Sequence, residues 1–257
     1  MDDIVFLFFA AAAAFAVVVE AGFRLGRRYS DPADRAARDH VGALQAASLG
    51  LLALLLGFTF AMAVSRYDAR KALVLDEANA IGTTYLRAGL LPAAQQEEIR
   101  KLLKSYVAAR LEFYEARVDA SRLAAAGAAA ARIEGELWKL AGSAVALDAR
   151  SVPAGLFVQS LNELIDLNEK RRVALDNRVP AVVLYLLYAV SVGALGFIAY
   201  GYGLAGRRRH GSTMAFALLV AMVLTVILDL DRPRRGLILV SQESMLRLKA
   251  SLDQDKP

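Results

Sequence analysis

Val41–Val64, with the sequence VGALQAASLGLLALLLGFTFAMAV, runs for 24 residues without a charged side chain. A helix rises about 1.5 Å per residue, so about 20 residues cross a hydrocarbon core of about 30 Å. Three further apolar stretches lie at about 4–25, 179–206 and 212–230. We therefore predict an all-α membrane protein with four transmembrane helices. The first stretch follows an acidic leader, Asp2-Asp3, where a signal peptide carries positive charge, so we expect a retained span.

The composition agrees with membrane spans and narrows the classes of function. Hydrophobic residues make up 57% of the 257 residues, charged residues make up 22%, and cysteine is absent. Without cysteine the chain forms no disulfide and no thiolate metal site. The formal charge of +5 comes largely from basic residues beside the apolar stretches. This placement is typical of membrane-edge charges, so the lipid bilayer and not nucleic acid is the expected partner.

The segment between the second and third spans predicts a soluble helical domain. Its apolar residues recur at helical spacing, and Pro92 and Ser151 mark two helix starts. We expect helices near 66–90, 92–118, 121–147 and 154–178, forming a bundle inserted between the second and third spans. The predicted domains are a first membrane hairpin at 1–64, the helical juxtamembrane domain at 65–178, a second hairpin at 179–230, and an amphipathic C-terminal tail at 231–257.

The second span has two distinct faces when its residues are placed 100° apart. One face carries small residues, namely Ala43, Ala46, Gly50, Ala53, Gly57 and Ala61. Such a stripe lets membrane helices pack closely and favours self-association. The opposite face carries Gln45, Ser48, Leu52, Leu56 and Thr59. One hypothesis makes these five residues a pore lining with a leucine constriction, and the other packs them against neighbouring helices.

Two acids, Asp229 and Asp231, lie at the end of the fourth span, and basic residues follow at once. A carboxylate at the end of a short span is costly unless it is paired. We predict an interfacial acidic–basic cluster of Asp229, Asp231, Arg232 and Arg234, with an ion-path site as the alternative.

The helical insert carries a second polar cluster: Asp76, Glu77, Asn79, Asn162, Glu163 and Asp166. The first three lie on the helix that continues the second span, and the others share one face of the last soluble helix. Carboxylate and amide oxygens suit a hard cation such as Ca²⁺, although the metal is not specified by this pattern. Networks with Arg87, Arg171 and Arg172 are the alternative.

Motifs of known catalytic chemistry are absent from the sequence. It contains no Gly-x-Ser-x-Gly, no phosphate loop and no dinucleotide fingerprint, and its two histidines lack metal-ligand spacing. We therefore expect neither an enzyme nor a cofactor.

Several segments together resemble a known family: Gly50–Phe60, Arg66–Asp68, Asp76–Thr83, Tyr85–Arg87, Leu91-Pro92, Asp229–Pro233, Gly236–Ile238 and Val240-Ser241. The chain is similar over nearly its whole length to the bacterial bestrophin-like membrane family of unknown function. The resemblance implies the architecture of bestrophins, which are pentameric anion channels with four spans and a helical cytosolic domain. Bestrophins carry bulky apolar neck residues on the second span, and Leu52 and Leu56 are the nearest equivalents by face.

Two functional hypotheses follow for a multi-pass homo-oligomer of the bacterial inner membrane. The first is a bestrophin-like ion channel lined by the second span, with a small inorganic ion as its substrate. The alternative is a membrane-anchored sensor or scaffold whose central domain binds a ligand or a protein partner. Basic residues on the short loops, including Arg207–Arg209, place the central domain outside, whereas the bestrophin resemblance places it in the cytosol.

Overall fold

The computed structural model describes residues 2–30, 35–206 and 210–255, and within these ranges the secondary structure is α-helical without strands. The helices are α1 (Asp2–Arg28), α2 (Arg35–Ala88), α3 (Ala93–Glu115), α4 (Ala120–Leu147), α5 (Val152–Asp176), α6 (Ala181–Leu204), α7 (His210–Asp231) and α8 (Glu243–Gln254). Arg207–Arg209, whose charges favour a central domain on the outside, lie outside the described residues.

Four stretches contain helix long and apolar enough to cross a membrane: Asp3–Arg28, Arg38–Ala88, Val152–Leu204, which comprises α5 and α6, and Gly211–Asp231. The all-helical prediction with four membrane-length helices is thereby confirmed. The second span and the soluble helix that continues it form one helix of 54 residues, α2. No proline interrupts α2, and it ends just before Gly89, with Pro92 standing at the N-cap of α3.

Side-chain caps fix the starts of two helices in the insert. The Asp119 carboxylate accepts hydrogen bonds from the backbone N–H groups of Ser121 and Arg122 at the start of α4. The Ser151 hydroxyl accepts one from the N–H of Ala154 at the start of α5. Each cap satisfies donors that have no partner within the helix, so these starts are determined locally.

The chain divides into two compact units. The span unit comprises residues 1–67 and 178–239, and the bundle unit comprises 68–177 and 240–257. Phe15, Leu187 and Leu195 lie in the span-unit core. Ile81, Leu103, Leu137, Phe157 and Leu164 lie in the bundle-unit core.

The predicted C-terminal tail is shared between the two units. Residues up to 239 belong to the span unit, and α8 belongs to the bundle unit. Met245 and Leu252 of α8 are buried in the bundle-unit core. The apolar face of this amphipathic helix is therefore covered by the chain itself.

Glycines allow α1 and α6 to pack at very short distance in the span unit. A Cβ on Gly26 would lie 2.1 Å from the carbonyl oxygen of Tyr200, and one on Gly203 would lie 2.4 Å from that of Phe23. A Cβ on Gly22 would lie 2.8 Å from the carbonyl oxygen of Gly196. Gly22 and Gly26 have the four-residue spacing at which small residues bring membrane helices together. No side chain fits at these crossings without moving the backbone.

Candidate functional site

The face of α2 that carries Gln45, Ser48, Leu52, Leu56 and Thr59 packs inside the span unit. Leu52 is only 2% exposed, and Leu56 packs against the same core. Leu52 therefore lies in the core of one chain, which argues against Leu52 as a pore-lining residue, whereas Leu56 is only partly buried beside that core.

The polar side chains on this face bond within the chain. Gln45 Nε2 donates a hydrogen bond of 2.7 Å to the carbonyl oxygen of Phe197 on α6. Ser48 Oγ donates to the carbonyl oxygen of Gln45, and the buried Thr59 Oγ1 donates to that of Leu55. These bonds satisfy the polar atoms locally, as expected for packing against neighbouring helices.

The opposite face of α2 is the exposed one. All six residues of the small-residue stripe, Ala43, Ala46, Gly50, Ala53, Gly57 and Ala61, are exposed. Beside the stripe lie bulky side chains, of which Leu54 is 54% exposed and Phe58 is 64% exposed. Leu54 and Phe58 are four residues apart and therefore share one side of the helix. This face is the part of α2 that the chain leaves open for lipid, for another copy or for an axial path.

The acids at the end of α7 are held by backbone amides. Asp229 is buried, and its two carboxylate oxygens accept hydrogen bonds of 2.8 and 2.9 Å from the N–H groups of Leu237 and Ile238. The loop closes tightly on this carboxylate, since a Cβ on Gly236 would lie 2.1 Å from Asp229 Oδ1. Two amide donors on one carboxylate replace the water that it loses on burial.

Asp231 is also buried and accepts a hydrogen bond of 2.7 Å from the N–H of Val179. The prediction of a cluster with Arg232 and Arg234 did not include these amide donors. The positions of backbone amides depend on the fold of the chain and not on residue type. Arg232 and Arg234 lie partly exposed beside the acids in sequence. For Asp229, the structure replaces the predicted arginine partner with the loop backbone.

A buried ion cluster occupies the bundle unit, and Glu77 is at its centre. The Glu77 side chain is fully buried, and its Oε1 accepts a hydrogen bond of 2.7 Å from Nε of the buried Arg110 on α3. Its Oε2 accepts a very short hydrogen bond from Nη1 of Arg171 on α5. One carboxylate therefore pairs with two guanidinium groups where water is largely excluded.

The cluster continues through a tyrosine to a second carboxylate. Tyr106 Oη lies 3.3 Å from Glu77 Oε1 and 3.0 Å from Glu134 Oε1. Asn168 Nδ2 donates a hydrogen bond of 2.7 Å to the same Glu134 oxygen. Burial raises the pKa of Glu134, against the lowering effects of its hydrogen bonds and of Arg110. Burial and the neighbouring Glu77 carboxylate also raise the pKa of Tyr106, so its hydroxyl stays protonated at neutral pH.

The last member of the cluster comes from the C-terminal segment. Arg171 Nη2 donates a hydrogen bond of 3.1 Å to Oε1 of Gln242, the residue at the N-cap of α8. The cluster therefore joins α2, α3, α4, α5 and the start of α8 within the bundle unit.

The predicted cation cluster is not brought together. Asp76, Asn79, Asn162, Glu163 and Asp166 are exposed, whereas Glu77 is buried with its arginines. Asn162 Nδ2 donates to Asp166 Oδ2 at 3.3 Å across one turn of α5. In the described part of the chain, no group of three or more histidine, aspartate or glutamate side chains could hold a metal ion. The structure thus favours the alternative, a carboxylate–arginine network, for Glu77.

Sequence reasoning missed Tyr106, Arg110, Glu134 and Asn168. Tyr106 and Arg110 lie four residues apart on the face of α3 that also buries Leu103 and Val107. A tyrosine and an arginine on an apolar helix face are the signal that could have found them, because such groups need buried partners.

Comparison with known proteins agrees with this architecture. Residues 9–245 match the family described as the bestrophin-like domain. A bacterial bestrophin homologue from Klebsiella pneumoniae has a similar crystal structure, with a TM-score of 0.66 at 16% sequence identity over 99% of this chain and 100% of that chain. A mutant bacterial bestrophin homologue from the same organism gives a TM-score of 0.67 at 14% identity, over 98% of this chain and 96% of that chain. At these identities the likeness shows the fold.

No curated protein matches the chain. The family match covers nearly the whole sequence, and it confirms the resemblance carried by segments such as Gly50–Phe60 and Asp229–Pro233. The chain belongs to the bestrophin-like family.

Proposed function

We propose that the protein is an oligomeric ion channel in which the exposed face of α2 surrounds the ion path. The observation that carries this proposal is the orientation of α2 in the span unit. The face of α2 that carries Leu52 is covered by the chain's own core, and the face that carries Leu54 and Phe58 is open. In this assembly the bulky side chains face the axis and form an apolar constriction that gates by excluding water.

The small residues beside this constriction support assembly from several copies. A Cβ on Gly50 or Gly57 would meet nothing within 4 Å in the single chain, so both glycines present open backbone. Small residues at a helix surface allow close approach of another membrane helix. Lipid contact alone gives no reason to expose a continuous stripe of glycine and alanine beside two large side chains.

The chain belongs to the bestrophin-like family. The resemblance to bestrophins, which are channels, supports an ion as the substrate. We place the protein in the bacterial inner membrane as a homo-oligomer. Each chain has one membrane hairpin before the helical insert and one after it. The apolar helices Asp3–Arg28 and Gly211–Asp231 agree with a multi-pass protein.

Ion flux from liposomes tests the proposal. The purified oligomer should release chloride or potassium down a gradient, and the double variant Leu54→Ala, Phe58→Ala should raise the flux because it widens the constriction. Phe6→Ala on α1 is the matched control, since Phe6 is 71% exposed but lies on another helix. Tight liposomes that contain oligomeric protein would overturn the proposal, and so would an equal change of flux in the control.

A further inference from the structure

A cavity of about 690 Å³ lies in the span unit, between the first half of α2, the end of α6 and the start of α7. Arg38 and Gly42 line it from α2, Ile198 lines it from α6, and Thr213 and Phe216 line it from α7. A volume of this size lies within the range of small-molecule sites, which is about 300–1,000 Å³.

The cavity lies at one end of the spans. Arg38 precedes the apolar stretch 41–64 by three residues, Leu204 is the last residue of α6, and Thr213 is in the first turn of α7. The lining therefore comes from the ends of three spans, where apolar sequence meets polar sequence. In a membrane such ends lie at the boundary between hydrocarbon and headgroups.

The lining of the cavity has a polar part and an apolar part. Arg38 supplies a guanidinium group, and Ser212 and Thr213 supply hydroxyls. Leu49, Ile198 and Phe216 supply an apolar wall. Arg38, Ser212 and Thr213 also interact within the chain, so an anion would join existing contacts. Arginine with hydroxyls suits phosphate oxygens, and the apolar wall suits a hydrocarbon chain.

We infer that this cavity binds one phospholipid with an anionic headgroup. Its phosphate lies against Arg38 and Thr213, and the upper part of an acyl chain lies along Leu49, Ile198 and Phe216. A soluble phosphate compound would leave the apolar wall in contact with water, and a lipid without net charge, such as phosphatidylcholine, would bring its own cationic choline group near Arg38. Basic pockets between membrane helices select anionic lipids for the same physical reason.

A glycine that lines the cavity gives a direct way to fill it. Gly42 is exposed, and a Cβ built on it would meet nothing within 4 Å, so the Cβ of Gly42→Leu fits without a clash. Gly193 on α6 offers equally open space and does not line the cavity. Gly193→Leu is therefore the matched control for adding a leucine to a membrane helix.

Native mass spectrometry of the delipidated full chain in detergent, titrated with phosphatidylglycerol or phosphatidylcholine, tests the inference. The native protein and Gly193→Leu should bind one phosphatidylglycerol per chain in preference to phosphatidylcholine. Gly42→Leu should lose this binding, and Arg38→Gln should weaken it about fivefold, the effect of one cationic side chain on an anionic lipid.

Three outcomes would overturn the inference. One is phosphatidylglycerol binding to Gly42→Leu at the native level. Another is equal retention of both lipids by the native protein. The third is saturation of the site by glycerol phosphate at concentrations that displace the lipid, which would mean a soluble ligand. If Gly42→Leu instead changes only the number of copies in the particle, the cavity is filled by a second copy and the lipid assignment is wrong.

Discussion

Arg110 Nε donates a hydrogen bond of 2.7 Å to Glu77 Oε1, and both side chains are buried in the bundle unit. Breaking a buried pair by removing one partner leaves an uncompensated charge, which costs about 3–5 kcal/mol. Because Arg171 also bonds to Glu77, one substitution at Glu77 leaves the buried Arg110 and the partly buried Arg171 without their carboxylate.

Glu77→Gln should lower the free energy of unfolding by about 3–5 kcal/mol, measured by chemical unfolding in detergent. Glu169→Gln is the matched control, since Glu169 pairs with Arg172 at the surface and such pairs contribute at most about 1 kcal/mol. Equal losses in the two variants would contradict the role assigned to the buried cluster.

Glu134→Gln should change how stability depends on pH. Burial raises the pKa of Glu134 above its ordinary value of 4.5, so the folded protein holds this proton in a pH range where the unfolded chain releases it. Stability therefore falls as the pH rises from about 4.5 through the folded pKa. Glutamine is neutral throughout and removes this fall.

The measurement is the midpoint of chemical unfolding at several pH values from about 4 to 8. The difference between Glu134→Gln and the native protein should grow in favour of the variant as the pH rises. Glu136→Gln is the control, because Glu136 forms an exposed pair with Arg132 on the same helix. Parallel curves for native protein and Glu134→Gln would mean that the Glu134 proton is not retained on folding.

Gly236→Ala should destabilise the span unit through Asp229. The new methyl group would lie 2.1 Å from Asp229 Oδ1, so the loop must move and the amides of Leu237 and Ile238 lose their acceptor. An unsatisfied buried group costs about 1–3 kcal/mol. Thermal unfolding in detergent should show a lower midpoint for Gly236→Ala, with Gly193→Ala unchanged or slightly more stable. A native midpoint for Gly236→Ala would show that the loop is not closed on the carboxylate.

The sequence was sufficient for the helices because each carries its own local signals. Long uncharged stretches predict the spans, and Pro92 and Ser151 lie at the starts of α3 and α5. The same periodicity separates the two faces of α2, but it does not say which face the chain covers. In a membrane both faces are apolar, so hydrophobicity does not distinguish core from exterior.

The partners within the buried cluster and the Asp229 loop depend on tertiary structure, so sequence spacing does not predict them. Glu77 meets Arg110 from 33 residues away and Arg171 from 94 residues away, and no short motif joins them. Asp229 accepts hydrogen bonds from backbone amides eight and nine residues further along the chain. Residue type does not indicate which backbone amides lie near a carboxylate.

The central claim is that the Leu54 face of α2, and not the Leu52 face, borders the ion path. The chain contains no cysteine, so Leu54→Cys and Leu52→Cys each introduce a single thiol. The test is the chloride or potassium flux of each variant in liposomes before and after addition of a charged methanethiosulfonate reagent. We expect rapid inhibition of Leu54→Cys and no effect on Leu52→Cys, since these residues are 54% and 2% exposed. Inhibition of Leu52→Cys with Leu54→Cys unaffected would contradict it.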